Sequence, residues 1–175
     1  MGLDMYLEKM PKIKGYNFGE LIEISNHIAN YIRGKEELEK YEKYEELKPY
    51  IKNRGEYFNW YDLRERIGYW RKANQIHSWF VINVQDEIDD CGYYEVTKEQ
   101  LIQLKEKCET ILEAKETNFE EVASSLLPTQ SGFFFGGTDY GEYYKEDLEI
   151  TIKIINAVLE ETDFEKEYIL YHSSW

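Results

Sequence analysis

The chain has 175 residues, 42% of them hydrophobic and 32% charged, and a formal net charge of −14. That size and balance fit one globular domain over residues 1–175 with a sizeable core. The acidic excess argues against nonspecific binding to nucleic acid or to an anionic membrane, and no apolar run approaches the roughly 20 residues of a membrane helix.

Leu3, Met5 and Leu7 alternate with Asp4 and Tyr6, the period of a half-buried strand. Leu21, Ile24, Ile28 and Ile32 form a stripe that predicts a helix over Phe18–Ile32, closed by Gly34. Lys35–Leu47 reads as a charged helical stretch with Leu38, Tyr41 and Tyr44, stopped near Pro49. Asp62-x-x-Glu65 has the spacing of a capping pair, so the next helix is expected from Leu63 to about Val84. Asp89-Asp90-Cys91-Gly92 reads as a turn and Tyr93–Val96 as a short strand. Thr97-x-x-Gln100 is a capping box for a helix to about Ala114, with Leu101, Leu104, Cys108, Ile111 and Leu112 inward. Asn118-x-x-Glu121 starts a short helix that ends before Pro128, and Phe133–Phe135 reads as a buried strand between Gly132 and Gly136-Gly137. Asp139-x-x-Glu142 is expected to cap a helix to about Glu161, with Leu148, Ile152, Ile155 and Leu159 inward; Tyr168–His172 is a final strand. The expected fold is therefore α+β, a single domain with a small mixed or antiparallel sheet and about four to six helices.

Three passages mix large aromatics with hydrogen-bonding side chains: Tyr69–Phe80 (YWRKANQIHSWF), Leu127–Gly136 (LPTQSGFFFG) and Tyr171–Trp175 (YHSSW). Pockets for polar ligands use both kinds of side chain together. On the expected helix Trp70, Asn74 and His77 share a face with Arg71 at its margin, which suits stacking by Trp70 and hydrogen bonding by the others. Thr129, Gln130 and Ser131 offer polar groups beside Gly132, and Ser173, Ser174 and Trp175 add a third set. The candidate ligand-binding residues are thus Trp70, Arg71, Asn74, His77, Thr129, Gln130, Ser131, Ser173, Ser174 and Trp175. Each also has a bland reading as core, cap or loop.

Lys48–Lys72 holds seven basic and three acidic residues, and four of the five arginines lie between Arg54 and Arg71. Arginine forks suit phosphate or carboxylate. No GxxxxGK[ST] or GxGxxG phosphate loop occurs, although Gly136-Gly137-Thr138-Asp139 precedes a helix N-terminus, where anions are favoured. Cys91 with His77 as base is a weak nucleophile candidate, because Asp89 and Asp90 would raise the thiol's pKa. Asp89, Asp90 and His77 are a candidate metal set, with a turn-forming Asp-Asp the commoner reading, and Ser173-Ser174 lacks a hydrolase pattern. No catalytic residue, metal ligand or cofactor is assigned. Cys91 and Cys108, the only cysteines, form neither a disulfide framework nor a zinc motif. With no secretory leader pattern at Met1–Met5, a cytoplasmic setting is expected.

The start Met1-Gly2-Leu3-Asp4-Met5-Tyr6-Leu7, the YWRKANQIHSWF and Asp89-Asp90-Cys91 segments, LPTQSGFFFG and the final Ser173-Ser174-Trp175 together resemble a family of small phage and prophage proteins. The resemblance covers residues 1–8 and 66–175. It implies action inside a bacterial cell and carries no catalytic residues. The resulting expectation is a phage accessory protein that binds a polar, anionic, nucleotide-type molecule and sequesters a host defence signal. An acidic inhibitor of a host protein, or a DNA mimic, is the alternative. It rests on Asp139, Glu142, Glu146, Asp147, Glu149 and the Glu160–Glu167 run. A third reading is an enzyme on nucleotides that uses His77 with Asp89 or Asp90. The oligomeric state is not readable from the sequence.

Overall fold

Strand β1 (Asp4–Pro11) sits inside the sheet because both of its hydrogen-bonding edges find partners. In the computed structural model, which describes residues 2–55 and 57–175, β1 pairs antiparallel with β4 (Glu65–Arg71) on one side and β6 (Glu167–Ser174) on the other. A short β5 (Tyr94–Glu95) pairs with β6, so the sheet runs β4-β1-β6-β5 with every pair antiparallel. A separate two-stranded ribbon joins β2 (Lys52–Asn53) to β3 (Tyr61–Asp62). Met1, the first residue of the N-terminal motif, and Glu56, one of the acidic residues counted between Lys48 and Lys72, lie outside the described residues.

Among the described residues seven α-helices complete the α+β domain: α1 (Phe18–Tyr31), α2 (Lys35–Glu39), α3 (Tyr44–Leu47), α4 (Asn74–Asn83), α5 (Lys98–Leu112), α6 (Phe119–Leu126) and α7 (Glu142–Glu161). Two of them, α2 and α3, are five and four residues long and share the charged stretch read as one helical region. The Thr97–Gln100 capping box forms, with Gln100 N–H donating to Thr97 Oγ1 at 3.1 Å and Thr97 N–H to Gln100 Oε1 at 2.8 Å. Among the described residues no helix is long and apolar enough to cross a membrane.

Helices α4 to α7 cover one face of the sheet. Met5, Leu7, Trp70, Ile169 and Tyr171 share a core there with Ile76, Phe80, Leu104 and Leu148. Phe80 stacks on Tyr171 at a 4.0 Å centroid distance. Gly68 makes the fit of α7 possible, since a Cβ there would stand 2.7 Å from Ile154 Cγ2. The opposite face builds a second core from Met10, Leu170 and Leu63 with Leu21, Ile24 and Ile28 of α1.

Two expected elements differ. The helix foreseen from Leu63 to Val84 is a strand, β4, followed by the shorter α4. Gly68 and Trp70 are buried while Tyr69 and Arg71 are exposed, which is strand alternation. Asp62 caps nothing: its Oδ1 accepts from Arg64 N–H and from the Ser25 hydroxyl, and Arg64 forks onto both carboxylate oxygens. Phe133–Phe135 is a turn, not a buried strand; Phe133 is 95% exposed, Phe134 is half-buried against the core and Phe135 is buried in it.

Candidate functional site

The corner between β4 and α4 is made by Lys72, which holds a left-handed backbone (φ 61°). A non-glycine residue in this region carries strain, and such strain gathers at functional positions. The corner is pinned by Lys72 N–H donating to Leu3 O at 2.8 Å and Asn74 N–H to Lys72 O at 2.9 Å. Gly136 (φ 91°) packs directly on it; a Cβ there would lie 3.1 Å from Lys72 Cβ.

Asn74 opens α4 and clips the loop that follows α6. Its Nδ2 donates to Phe135 O at 3.0 Å and to Gly137 O at 2.8 Å, while its Oδ1 accepts from Gln130 N–H at 2.8 Å. Thr129 Oγ1 closes the loop on itself by donating to Thr138 O at 3.0 Å. The loop thereby becomes one wall of a cleft of about 410 Å³. Arg71, Lys72, Asn74 and Gln75 form its floor, Thr129, Gly136, Gly137 and Asp139 one wall, and Tyr143, Tyr144, Glu146, Asp147 and Ile150 of α7 the other.

Two helix N-termini meet at this cleft, those of α4 and α7, and neither carries a side-chain cap. Asp139, expected to cap α7, accepts instead from Gly141 N–H at 3.1 Å. Helix N-termini favour negative charge. Arg71 and Lys72 add two cations, and neither forms an ion pair among the described residues. Two carboxylates, Glu146 and Asp147, stand across from them on α7, and Asp139 lies on the loop wall. Asp147 is half-buried, and Gln75, 2% exposed, donates Nε2–H to its Oδ2 at 3.1 Å. Burial pushes the Asp147 carboxyl up to about 6, with neighbouring Glu146 adding to the rise. A carboxyl perturbed in this way inside a cleft marks a functional candidate.

Of the sequence candidates, Arg71, Asn74 and Thr129 line the cleft. Trp70 does not: it is 2% exposed on β4, and its Nε1–H donates to Thr151 Oγ1 at 2.9 Å, tying strand to α7. His77 is fully buried elsewhere, and its Nδ1 lies 2.7 Å from Tyr171 Oη and its Nε2 3.1 Å from Asp89 Oδ2. Burial lowers the imidazole pKa, so the ring is neutral, with Nε2–H donating to Asp89 and Nδ1 accepting from Tyr171. This is a satisfied internal network. Trp175 extends it, donating Nε1–H to Asp89 Oδ1 at 3.1 Å. Ser173 is buried under the helices, Ser174 is exposed at the strand end, and Gln130 and Ser131 project from the loop outside the cleft. The ten candidates therefore do not converge on one cavity; three do.

The weaker readings lose their geometry as well. Tyr171, the far end of the Asp89–His77–Tyr171 chain, is fully buried. Asp90 is occupied by Gly92 N–H and the Tyr94 hydroxyl. Among the described residues no three His, Cys, Asp or Glu side chains gather to hold a metal ion. Lys72 and Gln75 on the floor and Tyr143, Asp147 and Ile150 on α7 are cleft residues absent from the sequence candidates. The available signal was the Tyr143, Asp147, Ile150 spacing, one helix stripe facing a glycine-rich loop. No protein family, curated protein or solved structure matches the chain.

Proposed function

We propose that the protein binds a polar small molecule of nucleotide type, with its anionic group at Arg71 and Lys72. The observation that carries this reading is the convergence of two cations, without an ion pair among the described residues, and two helix N-termini without side-chain caps on one cleft of about 410 Å³. Two of the cleft's three carboxylates, Glu146 and Asp147, sit on the α7 wall and the third, Asp139, on the loop wall, so the ligand meets positive charge at the Arg71–Lys72 floor and hydrogen-bond acceptors along α7. The resemblance to phage and prophage proteins supplies a setting: an accessory protein in the bacterial cytoplasm that withdraws a host signal from circulation.

Calorimetric titration with ribonucleoside monophosphates tests the reading. Arg71→Lys keeps the charge and loses the planar fork, so affinity should fall by about 1–3 kcal/mol, the scale of a charge-assisted hydrogen bond, at unchanged melting temperature. Arg71 is exposed, so the fold does not depend on it. Equal affinity in wild type and variant would remove Arg71 from the site.

A further inference from the structure

We infer that the base the cleft accepts is guanine, an inference that rests on the nucleotide reading above. Three observations lead to it. First, the polar group on the α7 wall is a carboxylate, Asp147, with Glu146 beside it. An ionised carboxylate accepts hydrogen bonds and donates none. Second, Gln75 holds that carboxylate from behind. Its amide is buried, and its Nε2–H occupies one of the roughly four lone-pair sites of Asp147. The remaining sites have a fixed direction rather than a free rotor. Third, Tyr143 and Ile150 lie on the same stripe of α7, one turn either side of Asp147, and present an aromatic and an apolar surface along which a flat ring can lie.

The hydrogen-bonding edges of the bases decide among them. Guanine presents two adjacent donors, N1–H and the N2 amino group, which a carboxylate accepts as a pair. Adenine sets its N6 amino group beside the N1 acceptor, and cytosine sets N4 beside N3. Uracil flanks its single N3–H with two carbonyl oxygens. Each of these three would put an acceptor lone pair against the Asp147 carboxylate, and such like-to-like contact rejects a ligand more strongly than a missing contact does. A phosphate at Arg71 and Lys72 and a guanine edge at Asp147 use both ends of the cleft with opposite chemistry. Gln75 is a positioning residue, since it acts through Asp147.

The test compares binding of GMP, IMP, AMP and inorganic phosphate to the full chain by calorimetry, above the titration range of Asp147. IMP keeps N1–H but lacks the N2 amino group. The expected order is GMP, then IMP, then AMP, with GMP at least about ten-fold tighter than AMP, the discrimination of one good bidentate pair. Asp147→Asn replaces half of the acceptor pair by a donor and should erase most of this preference while phosphate binding persists. GMP and AMP binding the cleft equally, or AMP binding better, overturns the guanine assignment and leaves the anion-binding reading in place. Neither nucleotides nor phosphate binding overturns both.

Discussion

Asp147→Asn should stabilise the protein, and by an amount that depends on pH. Burial lifts the Asp147 carboxyl to about 6 from an ordinary value of 3.8. The folded chain therefore binds a proton more tightly than the unfolded chain. Between about pH 4 and pH 6 native stability falls as pH rises, and above about pH 6 the full penalty is present. A shift of about two units corresponds to about 3 kcal/mol at 1.36 kcal/mol per unit. Asp147 keeps some contact with solvent, so screening reduces this to about 1–2 kcal/mol. Asparagine has nearly the same shape, and its side-chain oxygen can still accept from Gln75. Urea denaturation of wild type and variant at about pH 8 should show the variant more stable by that amount, and the difference should shrink as pH falls through about 4 and vanish below about pH 3, where the wild-type carboxyl is protonated in both states. A variant no more stable than wild type at about pH 8 would mean that Asp147 is not held at a cost, and its assignment as a functional group would lose its energetic support.

Asn74→Ala removes three hydrogen bonds to the loop backbone; it should lower stability by about 2–4 kcal/mol and speed hydrogen exchange over residues 130–137. His77→Phe strands the buried Tyr171 hydroxyl and leaves Asp89 only its Trp175 partner, so a loss of about 1–3 kcal/mol is expected in a melting experiment, with ligand affinity unchanged. In the wild type the lowered imidazole pKa makes its contribution full above about pH 6.5 and lost as pH falls below it, because the unfolded chain takes up the proton first; the variant should lose that acid sensitivity. Lys72→Gly relieves the left-handed corner and should hold or raise stability by up to about 1 kcal/mol, while calorimetry shows weaker binding of ribonucleoside monophosphates.

Elements with a continuous apolar stripe or a reciprocal cap were legible in the sequence. Leu21–Ile28 in α1, the Thr97–Gln100 box of α5 and the alternation of β1 each point one way. The β4–α4 corner was not legible, because Ile67, Trp70 and Ala73 fit a helical stripe as readily as Gly68 and Trp70 fit a strand. The choice is made by the pairing of β4 with β1 and by the Lys72 backbone, neither of which is local. Aromatic and polar residues in mixture also describe internal hydrogen bonding, and that is what Tyr171, His77, Asp89 and Trp175 form as one chain and Trp70 with Thr151 forms separately. Asp147 resembles a solvated helix residue until the packing of α7 against Gln75 is known.

The proposed site is one cleft, floored by Arg71 and Lys72 and walled by α7, that takes an anionic nucleotide-type ligand. Titration of ¹⁵N-labelled protein with the ribonucleoside monophosphates, followed by amide chemical shifts, tests it most directly. Saturable shifts concentrated at Arg71, Lys72, Gln75, Gly136, Gly137 and the first two turns of α7 are the predicted result. Shifts centred on the buried His77–Asp89 network, on the β2–β3 ribbon, or on no contiguous surface at all would contradict it.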